Sequence, residues 1–150
     1  MEELYKSGRV RAIGVCNFMV HHLKPLLKSN VRPMVNQIEY HPGQQQGETV
    51  EFCTRNKILI EAWSPLGSGK MLSNPMLSAM AEKYRKSVAQ LCIKWCLQNG
   101  VLPLPKSVTP SRIAENLEVF DFAIAEEDMR VINQMDYFCG SGLHPDQVPF

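Results

Sequence analysis

Residues 58–69 read ILIEAWSPLGSG, a mainly apolar run of six residues followed by a turn-forming stretch of Ser, Pro and Gly. Short apolar runs of the same kind occur at residues 12–15, 35–38 and 101–104. Runs of this length, apolar at nearly every position, are typical of strands that are covered on both faces in a parallel sheet. The sequence therefore predicts four buried strands, each followed by a polar loop.

Amphipathic stretches of helical length lie between and after these runs. Ser87 three residues before Gln90 forms a capping box, and Thr109 before Pro110 predicts a capped helix that ends near residue 116. Acidic residues 126–128 suit the first turn of a last helix. Strand and helix thus alternate four times, which favours a single α/β domain with a parallel sheet and right-handed crossovers.

Composition and charge exclude several classes of protein. The 150 residues carry a formal charge of +1, with 16 Lys and Arg against 15 Asp and Glu, so nothing favours nucleic acid or an anionic membrane surface. No apolar stretch is long enough to span a bilayer, and residues 1–11 are too polar for a signal peptide. Five cysteines without a C-x-x-C pair predict reduced thiols in a cytoplasmic protein and no metal site.

The loop after the fourth apolar run has the clearest chemical character. Lys106, the hydroxyls of Ser107 and Thr109, and Arg112 converge on the N-terminus of a predicted helix, which favours an anion site. The Gly- and Ser-rich loop after Trp63 could approach a second phosphate closely. Two such loops beside an aromatic ring suggest a dinucleotide. The alternative is that the cations are ordinary solvated charges and Thr109 is only a helix cap.

Amide side chains follow the first two apolar runs. Asn17 and Gln37 are placed to hydrogen-bond a carboxamide, although amides at strand ends more often satisfy loop backbone. His41 beside Pro42 is better explained as a structural residue than as a general base. No Ser-His-Asp arrangement or pair of carboxylates stands out.

Four motifs resemble those of the aldo-keto reductases, NADP(H)-dependent oxidoreductases built on a (β/α)8 barrel of the TIM type. The matching stretches are GRVRAIGVCNF at residues 8–18, NQIEYHP at 36–42, AWSPLG at 62–67 and PKSVTP at 105–110, the last of them followed by RIAEN at 112–116. They correspond to the C-terminal half of the family's barrel. The resemblance implies that residues 1–150 form about the last four β/α units, a half barrel that binds the cofactor, with residues 140–150 as a C-terminal tail.

The resemblance also implies roles at the cofactor site. The amides would hold the nicotinamide carboxamide, and the ring would stack on an indole where many members carry Tyr. The loop after the third strand would line the pyrophosphate, and the loop after the fourth would hold the 2′-phosphate and adenine of NADP(H). The implied cofactor-binding residues are Cys16, Asn17, Gln37, Trp63, Ser64, Leu66, Gly67, Ser68, Lys106, Ser107, Val108, Thr109, Arg112, Glu115 and Asn116. Cys16 departs from the family's usual Ser, and a thiol is a weak hydrogen-bond partner.

The family's catalytic Tyr, Lys, Asp and His come from the N-terminal half of the barrel, and their motifs are absent from this sequence. We therefore assign no catalytic residue and expect the isolated chain to be inactive. The complete barrel would reduce an aldehyde or ketone to an alcohol.

Four parallel strands would leave two unpaired edges, which predicts pairing with another copy, complementation by a missing half, or a partly molten state. The sequence looks truncated at its N-terminus. One alternative is a non-catalytic NADP-binding or protein-interaction module that dimerises through these edges. Another is a phosphate-binding half barrel without redox chemistry, which would make Asn17, Gln37 and Trp63 coincidental.

Overall fold

The computed structural model describes residues 1–148. Its strands are β1 (Gly14–Cys16), β2 (Val35–Glu39), β3 (Leu59–Trp63) and β4 (Leu102–Pro103). Its α-helices are α1 (Glu2–Lys6), α2 (Val20–Leu26), α3 (Gly47–Arg55), α4 (Pro75–Lys83), α5 (Val88–Gln98), α6 (Pro110–Leu117) and α7 (Glu126–Asn133), and a 3₁₀ segment spans Gly67–Ser73. None of these helices is long and apolar enough to cross a membrane.

The four strands form one parallel sheet in the order β1-β2-β3-β4. Every strand pairs with the next one in the chain, as expected when each connection crosses over one face of the sheet. Gln37 lies opposite Cys16 on one side and Glu61 on the other. The predicted parallel α/β arrangement is confirmed, and all four strands end at the same edge of the sheet.

The predicted helix starts are present, but their capping hydrogen bonds differ. Ser87 and Gln90 form a reciprocal capping box at the start of α5. Thr109 occupies the N-cap position of α6, but its side chain makes no capping hydrogen bond, so that part of the prediction is wrong. The Thr109 amide instead donates to Ser107 Oγ at 3.2 Å, which ties both residues into the preceding loop.

The core lies between one face of the sheet and the helices. Ile38, Ile60 and Ala62 point from the strands into this layer and are buried. Trp95 of α5 is fully buried there and stacks on Tyr40, with 4.7 Å between ring centroids. Burial of apolar side chains along one face of each strand fixes the strand register.

The opposite face of the sheet is open, which corrects the expectation that both faces of the strands are covered. Leu59 is 46% exposed and Leu102 is 42% exposed, while Gly14 and Cys16 of β1 are exposed as well. In a closed barrel this face would point inward, where side chains from all strands fill the interior. Four strands do not close, so these side chains face solvent.

The C-terminal tail packs against the carboxyl edge of the sheet. The amide and hydroxyl of Ser141 donate to the two carboxylate oxygens of Glu39, at 2.8 and 2.6 Å. Further along, Asp146 Oδ1 lies 3.0 Å from Nε2 of both His21 and His22. Within the tail expected at residues 140–150, Ser141 and Asp146 thus hold the chain against the rest of the fold, and the last two residues lie outside the described part.

Candidate functional site

A cleft of about 700 Å³ opens at the carboxyl edge of the sheet, between the loops that follow β3 and β4. Both loops were predicted to bind phosphate, and the fold places them side by side because β3 and β4 are neighbours. Eight of the predicted cofactor-binding residues line the cleft: Ser64, Leu66, Ser68, Lys106, Ser107, Arg112, Glu115 and Asn116.

The turn after β3 is built from left-handed backbone. Ser64 has a φ of 48°, Ser68 of 54° and Gly69 of 90°. A Cβ at Gly69 would meet no atom within 4 Å, so this glycine is required by its φ rather than by crowding. Within residues 1–148 the amide N–H groups of Leu66 and Ser68 donate to no acceptor. The turn therefore presents two backbone donors beside the cleft.

Gly67 and two residues of the next loop do not line the cleft. Gly67 is buried beneath the turn, where an added Cβ would lie 3.3 Å from Met71 Cγ and 3.5 Å from Cys139 Sγ. Val108 is 79% exposed, and neither its side chain nor that of Thr109 faces the cleft. If these three residues contribute to a ligand site, they do so through the backbone shape of the loops.

The loop after β4 carries the cations of the site. Lys106 and Arg112 are exposed, and within residues 1–148 neither has a carboxylate partner in an ion pair. In the first turn of α6, the amides of Ser111 and Arg112 donate to no acceptor in the described chain. Positive side chains beside the open start of an eight-residue helix form an environment that stabilises an anion.

A chain of hydrogen bonds joins the ends of β1, β2 and β3. Trp63 Nε1 donates to Asn17 Oδ1 at 2.7 Å, and the backbone N–H of Asn17 donates to the backbone carbonyl of Gln37 at 2.8 Å. Gln37 Nε2 donates to Glu61 Oε2 at 3.0 Å. Asn17 adopts the left-handed conformation, with a φ of 56°, which Asn tolerates better than most residues. These predicted site residues therefore form one connected group.

Cys16 contacts this group only weakly. Its Sγ lies 4.0 Å from Gln37 Oε1, at the outer limit for a sulfur hydrogen bond. Burial, and then the nearby Glu61 carboxylate, raise the pKa of the Cys16 thiol above its usual value. The thiol therefore stays protonated at neutral pH and acts as a poor hydrogen-bond donor.

The start of α5 also faces the cleft, which the sequence did not predict. Ser87, Val88 and Ala89 line the cleft, together with Leu72. The capping box at Ser87 indicates a helix start, but only the packing of α5 shows that this start lies beside the cleft. The sequence also did not identify Glu61 as a member of the hydrogen-bonded group at the strand ends, because Glu61 lies within a mainly apolar run.

Two clusters outside the cleft contain histidine. His41 is fully buried, with Nε2 3.5 Å from Glu39 Oε1, and burial lowers its pKa so that it is neutral at pH 7.

The second cluster brings ligand atoms of His21, His22 and Asp146 within 4.8 Å of one another, as in some metal sites. His22 Nδ1, however, accepts the Met19 amide at 3.1 Å, which leaves the Nε2 proton to face Asp146. This pattern fits a hydrogen-bonded tail contact.

The fold and the cleft define the class of protein. Consecutive β/α units form a parallel sheet, and the polar loops after its strands meet at the carboxyl edge, which is where α/β barrels and doubly wound sheets bind ligands.

The chain belongs to the aldo/keto reductase family, whose sequence profile matches residues 1–136. It is 48% identical over 151 residues to glyoxal reductase of Bacillus subtilis, and the alignment covers 100% of this chain and 55% of that protein. It is 43% identical over 150 residues to methylglyoxal reductase DkgA of Escherichia coli, covering 98% of this chain and 54% of that one.

A solved structure shows the same fold. A variant of Gox0644 in complex with NADPH matches with a TM-score of 0.93 and 46% identity, covering 99% of this chain and 56% of that chain. The chain therefore spans about half the length of the relatives it matches. The predicted family and partial barrel are confirmed.

Proposed function

We propose that this chain is the cofactor-binding half of an NADP(H)-dependent aldo-keto reductase whose complete barrel reduces a small aldehyde or ketone to an alcohol. The proposal is supported by the cleft at the carboxyl edge, which is lined by the two loops predicted to bind phosphate, and by the hydrogen bond between Trp63 and Asn17 at the neighbouring strand ends. Relatives named as glyoxal and methylglyoxal reductases favour a small carbonyl compound as substrate.

Lys106, Ser107 and Arg112 would bind the 2′-phosphate that distinguishes NADPH from NADH. The support is that both cations are exposed beside the cleft and have no internal carboxylate partner in the described chain. An arginine fork and a lysine ammonium suit the oxygens of a phosphate dianion. Glu115 and Asn116, on the next turn of α6, would contact the adenine.

The turn after β3 would hold the pyrophosphate. The Ser64 and Ser68 hydroxyls lie 3.4 Å apart at the cleft, and the amides of Leu66 and Ser68 have no acceptor in residues 1–148. Backbone N–H groups of this kind bind phosphate oxygens without a charged side chain. At the other end, Asn17 and Gln37 would bind the carboxamide and Trp63 would stack on the ring.

The chemistry divides between two halves of the barrel. NADPH would supply the hydride that reduces the carbonyl carbon, and the residues of this chain would bind the cofactor and fix the face of its ring. The proton for the carbonyl oxygen would come from the family's catalytic Tyr, whose motif this chain lacks. We therefore expect no turnover by the chain alone, and turnover when it is joined to an N-terminal half.

The test is titration of the purified chain with NADPH and with NADH, followed by Trp fluorescence, with the mass in solution measured alongside. Saturable binding that prefers NADPH is expected, because only NADPH can engage the cations with a 2′-phosphate. A folded chain of defined mass that binds neither cofactor would contradict the proposal.

A second candidate is a non-catalytic module that self-associates. It is favoured by the open face of the sheet, where Leu59, Leu102 and Leu104 are all more than 40% exposed, and by the unpaired outer edges of β1 and β4 within the described chain. A dimer that binds no cofactor, and that dissociates when Leu102 is replaced by Lys, would favour this reading.

A further inference from the structure

Glu61 lies on the open face of the sheet, inside the hydrogen-bonded group. It is directly opposite Gln37 in the β2–β3 register, and its Oε2 accepts Gln37 Nε2 at 3.0 Å. Trp63 is two residues further along β3, so both side chains leave the same face of the strand. Glu61 therefore lies two residues before Trp63 on β3, on the same face as the ring against which the nicotinamide would stack.

The chemistry of the partners fixes which way each amide points. An ionised carboxylate only accepts hydrogen bonds, so the NH2 group of Gln37 must face Glu61. The Trp63 indole only donates, so Asn17 must turn its oxygen toward Trp63. Nδ2 of Asn17 and Oε1 of Gln37 remain for a ligand, which gives the site one donor and one acceptor.

This polarity matches a carboxamide, which has one acceptor oxygen and one donor NH2 group. Among the described residues, the Cys16 thiol at 4.0 Å is the only side-chain hydrogen-bond donor to Gln37 Oε1, and as a weak donor it leaves the oxygen able to accept another bond. If the Gln37 amide were reversed, it and Asn17 would present two donors, and the carboxamide NH2 would lack an acceptor.

We infer that Glu61 is a positioning residue for cofactor recognition: it holds the Gln37 amide so that Oε1 accepts the NH2 group of the nicotinamide carboxamide. This inference rests on the proposed function. Glu61 itself would not contact the cofactor, and its effect would pass through Gln37.

The test compares binding of NADP⁺ with binding of its 3-acetylpyridine analogue, in which a methyl group replaces the NH2 group. Both ligands carry the same charge, so the ratio of their dissociation constants is insensitive to the charge of residue 61. The native chain should bind NADP⁺ about fivefold more tightly, the change expected for one neutral hydrogen bond.

Glu61→Lys places a donor-only group opposite Gln37 and should reverse its amide, so the ratio should fall to about one or below. Glu61→Gln can pair with either orientation and should give an intermediate ratio. If Glu61→Lys does not fold, the ratio of dissociation constants measured with Glu61→Gln tests the inference by itself. Ratios equal to the native value in the folded variants would overturn the inference, and Glu82→Gln, an exposed change on α4, is the matched control.

Adenosine 2′,5′-bisphosphate separates this inference from the proposed function, because it lacks the nicotinamide. It should bind the native chain and every folded Glu61 variant equally. Binding of this probe and of NADP⁺ with an unchanged ratio would overturn the role of Glu61 alone. A native chain that binds neither ligand would contradict the proposed function, and the role of Glu61 would fall with it.

Discussion

The two ends of the candidate site differ in where their polar groups find partners. At the ends of β1 to β3, Asn17, Gln37 and Trp63 are already hydrogen-bonded within the protein. At the loop after β4, Lys106 and Arg112 have no ionic partner among the described residues. We call these the amide end and the cationic end.

The difference indicates how each end would select a ligand. Internal hydrogen bonds hold the amide end in one arrangement before any ligand binds, so selectivity there depends on the direction of donors and acceptors. The cationic end has flexible, solvated side chains, and a ligand must supply the negative charge that orders them. Substitutions at the two ends should therefore affect different ligands by different amounts.

The largest effect is expected when the cationic end is removed. Lys106→Ala combined with Arg112→Ala should weaken NADPH binding about 100-fold, because charged hydrogen bonds to the 2′-phosphate are lost. NADH, which lacks that phosphate, should change by less than about twofold. The measurement is parallel titration with both cofactors at low and high salt, with Lys24→Ala on α2 as a remote control. Equal losses for both cofactors would show that the 2′-phosphate assignment is wrong.

A smaller effect, shared by both cofactors, is expected at the amide end. Trp63→Phe keeps an aromatic ring but removes the indole N–H that orients Asn17, so NADPH and NADH should each bind about fivefold more weakly. Trp63→Ala removes the stacking ring as well, so it should weaken the binding of both cofactors by more than about fivefold.

Fluorescence provides the check at Trp63. Trp95 is fully buried in the core, so contact quenching of Trp emission by NADP⁺, which does not absorb at the emission wavelength, should come from Trp63 and should disappear in Trp63→Ala. Unchanged quenching in that variant would rule out stacking on Trp63.

The smallest effect is a gain. Cys16→Ser replaces a weak donor by a hydroxyl that can donate to the carboxamide oxygen of either cofactor, so both should bind about twofold more tightly. Calorimetric titration can resolve this change if native and variant proteins are measured together. A loss of affinity would mean that the larger sulfur contributes more through packing than a hydroxyl does through hydrogen bonding.

The sequence predicted those parts of the molecule that depend on local pattern. The capping box at Ser87 follows from residues that are close in the chain, and the parallel sheet follows from the alternation of apolar runs with amphipathic stretches; the structure has both. The pairing of the loops after β3 and β4 also followed, because parallel neighbours end at the same edge.

The missed features depend on contacts between distant segments. The direction of Glu61 is set by its register with Gln37, which is 24 residues away, and no local pattern reveals it. The open inner face was missed because apolar runs look the same whether or not further strands cover them. Thr109 fits the N-cap pattern, yet its amide bonds to Ser107 in a loop whose shape depends on β4.

The contact between the tail and Glu39 has a consequence for the order in which the chain folds. Ser141 lies 102 residues after Glu39, so the two hydrogen bonds that Ser141 donates to this carboxylate cannot form until residue 141 has been synthesised. Closing a loop of this length costs only about 0.6 kcal/mol more than closing one half as long, so distance along the chain does not prevent the contact. The contact nevertheless forms after contacts between residues that are closer in the chain, because both of its ends must be present. The sheet can therefore assemble before these hydrogen bonds form, and protection of the Ser141 amide from exchange would report when the tail docks.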